Sequence, residues 1–131
     1  MVSGSKRLQR KLSRLPKSVQ KEVRKATATG ATEMVQTARG FVPKDEGYLR
    51  DSIRWRWIRK AAFTALVTAG NERTRVKGRN GKLFQNAFNQ EFGTKNMPAN
   101  PFFFVAYRLR RTRIRSRISR AFSKAIRIAF K

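Results

Sequence analysis

Between Lys17 and Arg39, the small or apolar residues Val19, Val23, Ala26, Gly30, Met34 and Ala38 fall three or four positions apart, the spacing of one helical face. Pro16 stands just before them, where the first turn of a helix tolerates a residue without an N–H. A helix of this span is about 35 Å long, the width of a small domain. Gly30 and the threonines around it have poor helix propensity, so packing of the stripe must hold the helix together. A shorter basic helix is expected ahead of it, from Lys6 to Arg14, with Leu8, Leu12 and Leu15 on one side.

Gly40, Pro43 and Gly47 punctuate the next stretch and predict the end of the helix in a loop of fixed shape. Ile53, Trp55 and Trp57 then alternate with Arg54 and Arg56, the period of a strand with one buried and one wet face. On that reading the tryptophans are core anchors beneath the long helix. A second strand over Phe63 to Thr68 pairs with the first through a turn at Arg59 to Ala62. Residues 71–82, NERTRVKGRNGK, read as an exposed basic loop or hairpin; they lack the glycine and lysine spacing that cradles a nucleotide. Leu83 to Phe92 is a short helix or an extended segment ended by Gly93. From Pro101 onward Ile118, Ala121, Phe122, Ala125, Ile126 and Ala129 recur at helical spacing. The fold class is therefore α+β: a long N-terminal helix packed on a small antiparallel sheet, with a long basic C-terminal helix. With 131 residues, a single domain over 1–131 is expected, with a basic N-terminal segment over 1–15, the basic loop over 71–82 and the basic helix over 101–131.

The middle of the last helix is anomalous. Arg108, Arg110, Arg111, Arg113, Arg115, Arg117 and Arg120 surround its axis, leaving Leu109 and Ile114 as the apolar positions before Ile118. A helix charged all round is expected to project into solvent, across a subunit boundary or toward a polyanion. No acidic residue follows Glu91. In the whole chain 32 Lys and Arg face seven Asp and Glu, a formal charge of +25, so an acidic partner is expected: nucleic acid, an acidic protein face or an anionic membrane.

The chain has neither Cys nor His, which excludes thiol chemistry, thiolate or imidazole metal ligands and His-assisted nucleophiles. The remaining acid–base groups are Glu22, Glu33, Asp45, Glu46, Asp51, Glu72 and Glu91. A catalytic centre would need Asp45, Glu46, Asp51 and Glu91 to share one cleft; the expectation is no enzyme, no metal and no cofactor. Residues 1–15 lack the apolar core of a secretory signal, and no apolar run approaches the roughly 20 residues that span a bilayer.

Two segments carry more than composition does. The first is Val42-Pro43-Lys44-Asp45-Glu46-Gly47-Tyr48-Leu49-Arg50-Asp51-Ser52-Ile53; the second is Glu91-Phe92-Gly93-Thr94 followed by Met97-Pro98-Ala99-Asn100-Pro101-Phe102-Phe103-Phe104. In this order, behind a long first helix, they resemble the neck or tail-completion proteins of long-tailed bacteriophages. Glu46 stands where that family usually has Thr, and Val105 follows the phenylalanines where Arg-Pro-Ala is frequent. The resemblance implies fold and assembly roles for Pro43, Gly47, Leu49, Arg50, Ser52, Glu91, Phe92, Gly93, Thr94, Pro98, Pro101 and Phe102. Pro43 and Gly47 would turn helix into sheet, and Phe102, Phe103 and Phe104 would pack the last helix on the sheet.

It also implies a structural virion protein, assembled in the host cytoplasm and located in the neck at the head-to-tail junction. There it would form a ring of about six or twelve copies between head-closure or connector proteins and the tail terminator or tail tube, around the passage of genomic double-stranded DNA. Candidate contacts to DNA or to acidic partners are Arg73, Arg75, Lys77, Arg79, Arg108, Arg110, Arg111, Arg113, Arg115 and Arg117. The alternative is a sequence-independent nucleic-acid-binding protein that stacks bases on Trp55 and Trp57 beside Arg54, Arg56 and Arg59. A third reading, a membrane-active basic helix over Ile114 to Lys131, ranks below both, and no membrane partner is expected.

Overall fold

Two long antiparallel helices organise the chain. The computed structural model describes residues 2–43, 46–77, 81, 83–95 and 98–130. Helix α1 (Val2–Ser13) leads into α2 (Lys17–Phe41), and the Gln20 side-chain amide ties the two by donating to the carbonyls of Ser13 and Leu15 at 3.1 and 2.8 Å. All six positions of the stripe are buried, joined by Ala31 and Val35. The threonines are accommodated because Thr27, Thr29, Thr32 and Thr37 each return a hydroxyl hydrogen bond to the carbonyl four residues back. Helix α2 runs through Gly40 to Phe41, so Gly40 does not end it; the chain turns at Val42 and Pro43 instead.

A short helix, α3 (Gly47–Ser52), occupies the place where a turn directly into sheet was expected. Gly47 begins this helix rather than bending the chain into a strand. Six residues are too few to display a helical period in sequence. Ser52 is buried, donates to the Leu49 carbonyl at 2.6 Å and accepts from the Gly70 N–H at 2.8 Å.

Strands β1 (Arg54–Ile58) and β2 (Ala61–Thr68) form the expected antiparallel hairpin, with Trp55 opposite Val67 and Trp57 opposite Ala65. Its turn is tighter than expected, since Ile58 pairs with Ala61 across Arg59 and Lys60, and a bulge lies between Trp57 and Ile58. Both tryptophans face α2: the Trp55 indole N–H donates to Thr32 at 3.2 Å, and the Arg24 guanidinium lies 4.1 Å over Trp57 while also donating to the Ala62 carbonyl. They are half-buried, and Arg54 and Arg56 on the other face are exposed. A 3-10 turn (Glu72–Thr74) precedes β3 (Arg75–Lys77), which pairs antiparallel with β4 (Leu83–Gln85). Helices α4 (Asn86–Phe92) and α5 (Phe103–Ala129) complete the order.

Helix α5 does not project. It lies along α2, with Phe102 and Ala106 in one buried cluster with Met34, Val35 and Ala38, and Ala125 in a second with Val19 and Val23. Between them the helices approach closely, for a Cβ placed on Gly30 would sit 2.7 Å from Ile114 Cγ2. Small residues on α2 thus let a narrow apolar stripe suffice on a helix whose middle is largely arginine. Gly30→Ala is expected to lose about 1–2 kcal/mol, because overpacking outweighs the gain in helix propensity. Urea unfolding checks this, and adding Ile114→Ala should remove the clash and give a coupling of about 1 kcal/mol or more in a double-mutant cycle.

Candidate functional site

The two motifs meet in space. Leu49 and Ile53 from the first, and Phe102 from the second, are all at most 1% exposed and share a cluster with Ala38, Val42, Ala87 and Ala106. Phe103 packs beside them, whereas Phe104 is 55% exposed and does not bind the helix to the sheet. The remaining motif residues lie around this junction. Pro43, Gly47 and Arg50 are half-buried between α2 and β1. Gly93 closes α4 with φ +77° and an N–H donated to Asn89 O at 2.7 Å, a conformation that favours glycine. Asn100 N–H reaches Gln90 O at 2.7 Å, returning the chain toward α5. Thr94, Pro98 and Pro101 are exposed on that return, and Phe92 is exposed on α4.

Glu91 has a role that no local pattern disclosed. Its carboxylate accepts from the backbone N–H groups of Phe102, Phe103 and Phe104 at 3.0, 2.9 and 2.8 Å, capping the first turn of α5. Glu46 accepts from the Asn86 side-chain amide at 2.7 Å. Among the described residues no three acidic side chains gather as a metal site would require; Asp45 lies outside them.

The basic candidates divide into two groups. Arg110 donates to Thr37 at 2.9 Å, and Arg117 meets Glu33 at 2.6 Å, so both are engaged within the fold. Arg113 approaches the same carboxylate at 3.8 Å but stays mostly exposed. Arg108 lies over the Phe104 ring at 5.6 Å, and Arg111 and Arg115 stand exposed along the same helix. Arg73 reaches over Tyr48 at 5.9 Å, and Arg75 and Lys77 are exposed on β3. This second basic patch is held firmly at its base: Asn71 and Thr74 cap one another, and Gln85 joins Thr74 Oγ1 at 2.6 Å and the Asn71 carbonyl at 3.1 Å. Arg79 lies outside the described residues.

The hydrogen bond from Arg117, reinforced by the charges of Arg117, Arg113 and Arg110, holds the Glu33 carboxyl below its ordinary value near 4.5 against the opposing effect of partial burial. A depressed folded-state value means that the pair stabilises the fold above about pH 4.5 and that this contribution fades as the pH falls through the lower folded value. The stability difference between wild type and Glu33→Gln should therefore be full near neutrality and shrink below pH 4.5, as read by thermal unfolding across an acid series.

An apolar groove of about 850 Å³ opens between α1, α2, β2 and α5, with Leu8 and Leu12 of α1 along its rim. Thr27, Gly30 and Ala31 form its floor, Ala65 and Val67 one wall, Ile114 and Ile118 the other. On α4, the Phe88 and Phe92 rings pack against each other with centres 4.8 Å apart and planes tilted by 48°, and are 63% and 68% exposed. Neither feature was anticipated. The i, i+4 spacing of the phenylalanines was the available signal for the second, while the groove depends on how far sheet and helix stand apart, which no spacing records.

Neither the curated proteins nor the solved structures contain a match to the chain. A family model described as "Bacteriophage HK97-gp10, putative tail-component" matches residues 6–93, from α1 through α4 to the glycine that closes it, and leaves α5 beyond the matched span. That span covers more than half of the 131 residues and includes the whole first motif with Glu91, Phe92 and Gly93 of the second. The chain belongs to the HK97-gp10-like family of bacteriophage tail components, structural proteins of the virion.

Proposed function

We propose that this structural tail component is a single connector domain that forms a homo-oligomeric ring in the neck, between head-closure proteins and the tail terminator or tail tube, around the passage of the genome. The observation that carries the reading is the division of labour along α5. Arg110 and Arg117 bind it to α2, while Arg108, Arg111, Arg113 and Arg115 remain presented on a helix braced at both ends. Such an array is suited to phosphate or to an acidic protein face, and a closed ring would repeat it around an axis. Arg73, Arg75 and Lys77 offer a second patch of the same sign.

Cryo-electron microscopy of the particle tests this directly. The expected result is a closed ring of this chain at the head-to-tail junction, with the exposed arginines of α5 facing the lumen or an adjoining ring. No ring there, together with protomers that bind duplex DNA with a steep salt dependence, would replace the reading with that of a sequence-independent nucleic-acid-binding protein.

A further inference from the structure

We propose that the groove between α1, α2, β2 and α5 receives the Phe88–Phe92 face of α4 from a second copy of this chain, a contact that rests on the ring reading and gives that ring its interface. The groove lies beside the Gly30–Ile114 contact, over the seam between the protein's two buried clusters: Met34, Ala38 and Phe102 lie in one, Val19, Val23 and Ala125 in the other, and Met34 and Val23 both line it. None of the described residues fills it, and its volume of about 850 Å³ falls in the range of sites that enclose sizeable apolar groups. The opposite problem exists on α4. Ala87 and Gln90 face inward, leaving Phe88 and Phe92 as a paired aromatic knob in solvent. Two such rings form the kind of anchor on which interfaces depend.

Charge selects the occupant. Copies of a chain carrying +25 repel one another over most of their surfaces, and Arg111 and Arg115 line the groove itself. The segment from Leu83 to Thr94 contains no Lys or Arg and one Glu, so it can approach those arginines without like-charge repulsion. Geometry then sets the symmetry. Helix α4 sits at the N-terminal end of α5, joined to it through Glu91, while the groove runs beside the middle of α5 around Ile114 and Ile118. Knob and groove are thus separate patches, and their contact is head-to-tail, the type that closes into rings or propagates as filaments.

The test uses nuclease-treated, full-length protein at a salt concentration that screens its net charge, with mass measured by light scattering and sedimentation. Wild type should assemble beyond a dimer. Phe88→Ser/Phe92→Ser should be monomeric with an unchanged circular dichroism spectrum, since both side chains are exposed. Ile118→Glu should also be monomeric. Mixing the two should yield a one-to-one dimer, because one supplies an intact groove and the other an intact knob. Should Ile118→Glu unfold, a photo-crosslinker at Phe92 of the otherwise wild-type chain replaces it, with crosslinks expected to the groove lining of another copy, on α1, α2, β2 and α5. Assembly undiminished in the Phe88/Phe92 variant, or crosslinks to another part of the neighbouring copy, would overturn this contact and leave the ring standing. A wild-type chain that remains monomeric at every concentration would overturn the ring reading and this inference with it.

Discussion

Replacing Phe102 by alanine is expected to lower the unfolding free energy by about 3–5 kcal/mol, the cost of truncating a buried aromatic and leaving a cavity. Phe102 is 1% exposed, packs at a right angle on Phe103 with ring centres 6.3 Å apart, and lies where Leu49, Ile53, Ala38 and Ala106 converge. Those neighbours belong to α2, α5 and the segment from α3 into β1, three parts of the chain that cannot all move inward to fill the space. Against a total stability of roughly 5–15 kcal/mol, the loss should appear as a fall of about 10–20 °C in Tm. Phe104→Ala is the internal control: its ring is 55% exposed, and its removal should cost about 0.5 kcal/mol or less. Equal effects at the two positions would contradict the account of the motif as a core junction.

The elements legible in the sequence were those whose partners lie on a neighbouring turn or strand. The stripe from Val19 to Ala38 gave α2 because a helical face is written every three or four residues. The alternation of Ile53, Trp55 and Trp57 gave β1 and its inward side for the same local reason, although both tryptophans are half-buried rather than core anchors. Helix α5 was legible as a helix, but its placement was not: counting arginines around its axis predicts a free helix, whereas the small residues of α2 let it dock. Glu33 and Arg117 are 84 residues apart, so the ion pair that tethers one of those arginines has no signature in spacing. The two motifs have no common period, and the burial of Leu49 and Phe102 in one cluster joins positions 53 residues apart that no local pattern links.

The arginines of α5 explain how a chain of charge +25 keeps a folded body. Arg110 and Arg117 sit on the side turned toward α2, where Thr37 and Glu33 supply oxygen acceptors. Arg108, Arg111, Arg113 and Arg115 retain solvent, which screens their mutual repulsion. An acidic partner would relieve that repulsion further, so binding a polyanion should stabilise the fold as well as the assembly.

Glu91→Ala should cost about 2–3 kcal/mol, more than an ordinary helix cap, because a single carboxylate serves three donors. Helix α5 has no acidic residue in its first turn and no side-chain cap at Phe102, so the positive end of a 27-residue helix relies on this group from α4. Alanine would leave the Phe102 and Phe103 N–H groups, which lie in a half-buried setting, to whatever water can reach them. Glutamine keeps one acceptor oxygen and gives up the charge, and is expected to lose about 1 kcal/mol. The measurements are urea unfolding and amide hydrogen exchange at Phe102, Phe103 and Phe104, whose protection should fall in both variants and further in alanine. Unchanged protection would mean that the turn is held by Phe102 packing alone. Loss of protection confined to these amides would instead show that Glu91 fixes the start of α5 from 11 to 13 residues upstream, and with it the angle at which the exposed arginines are presented.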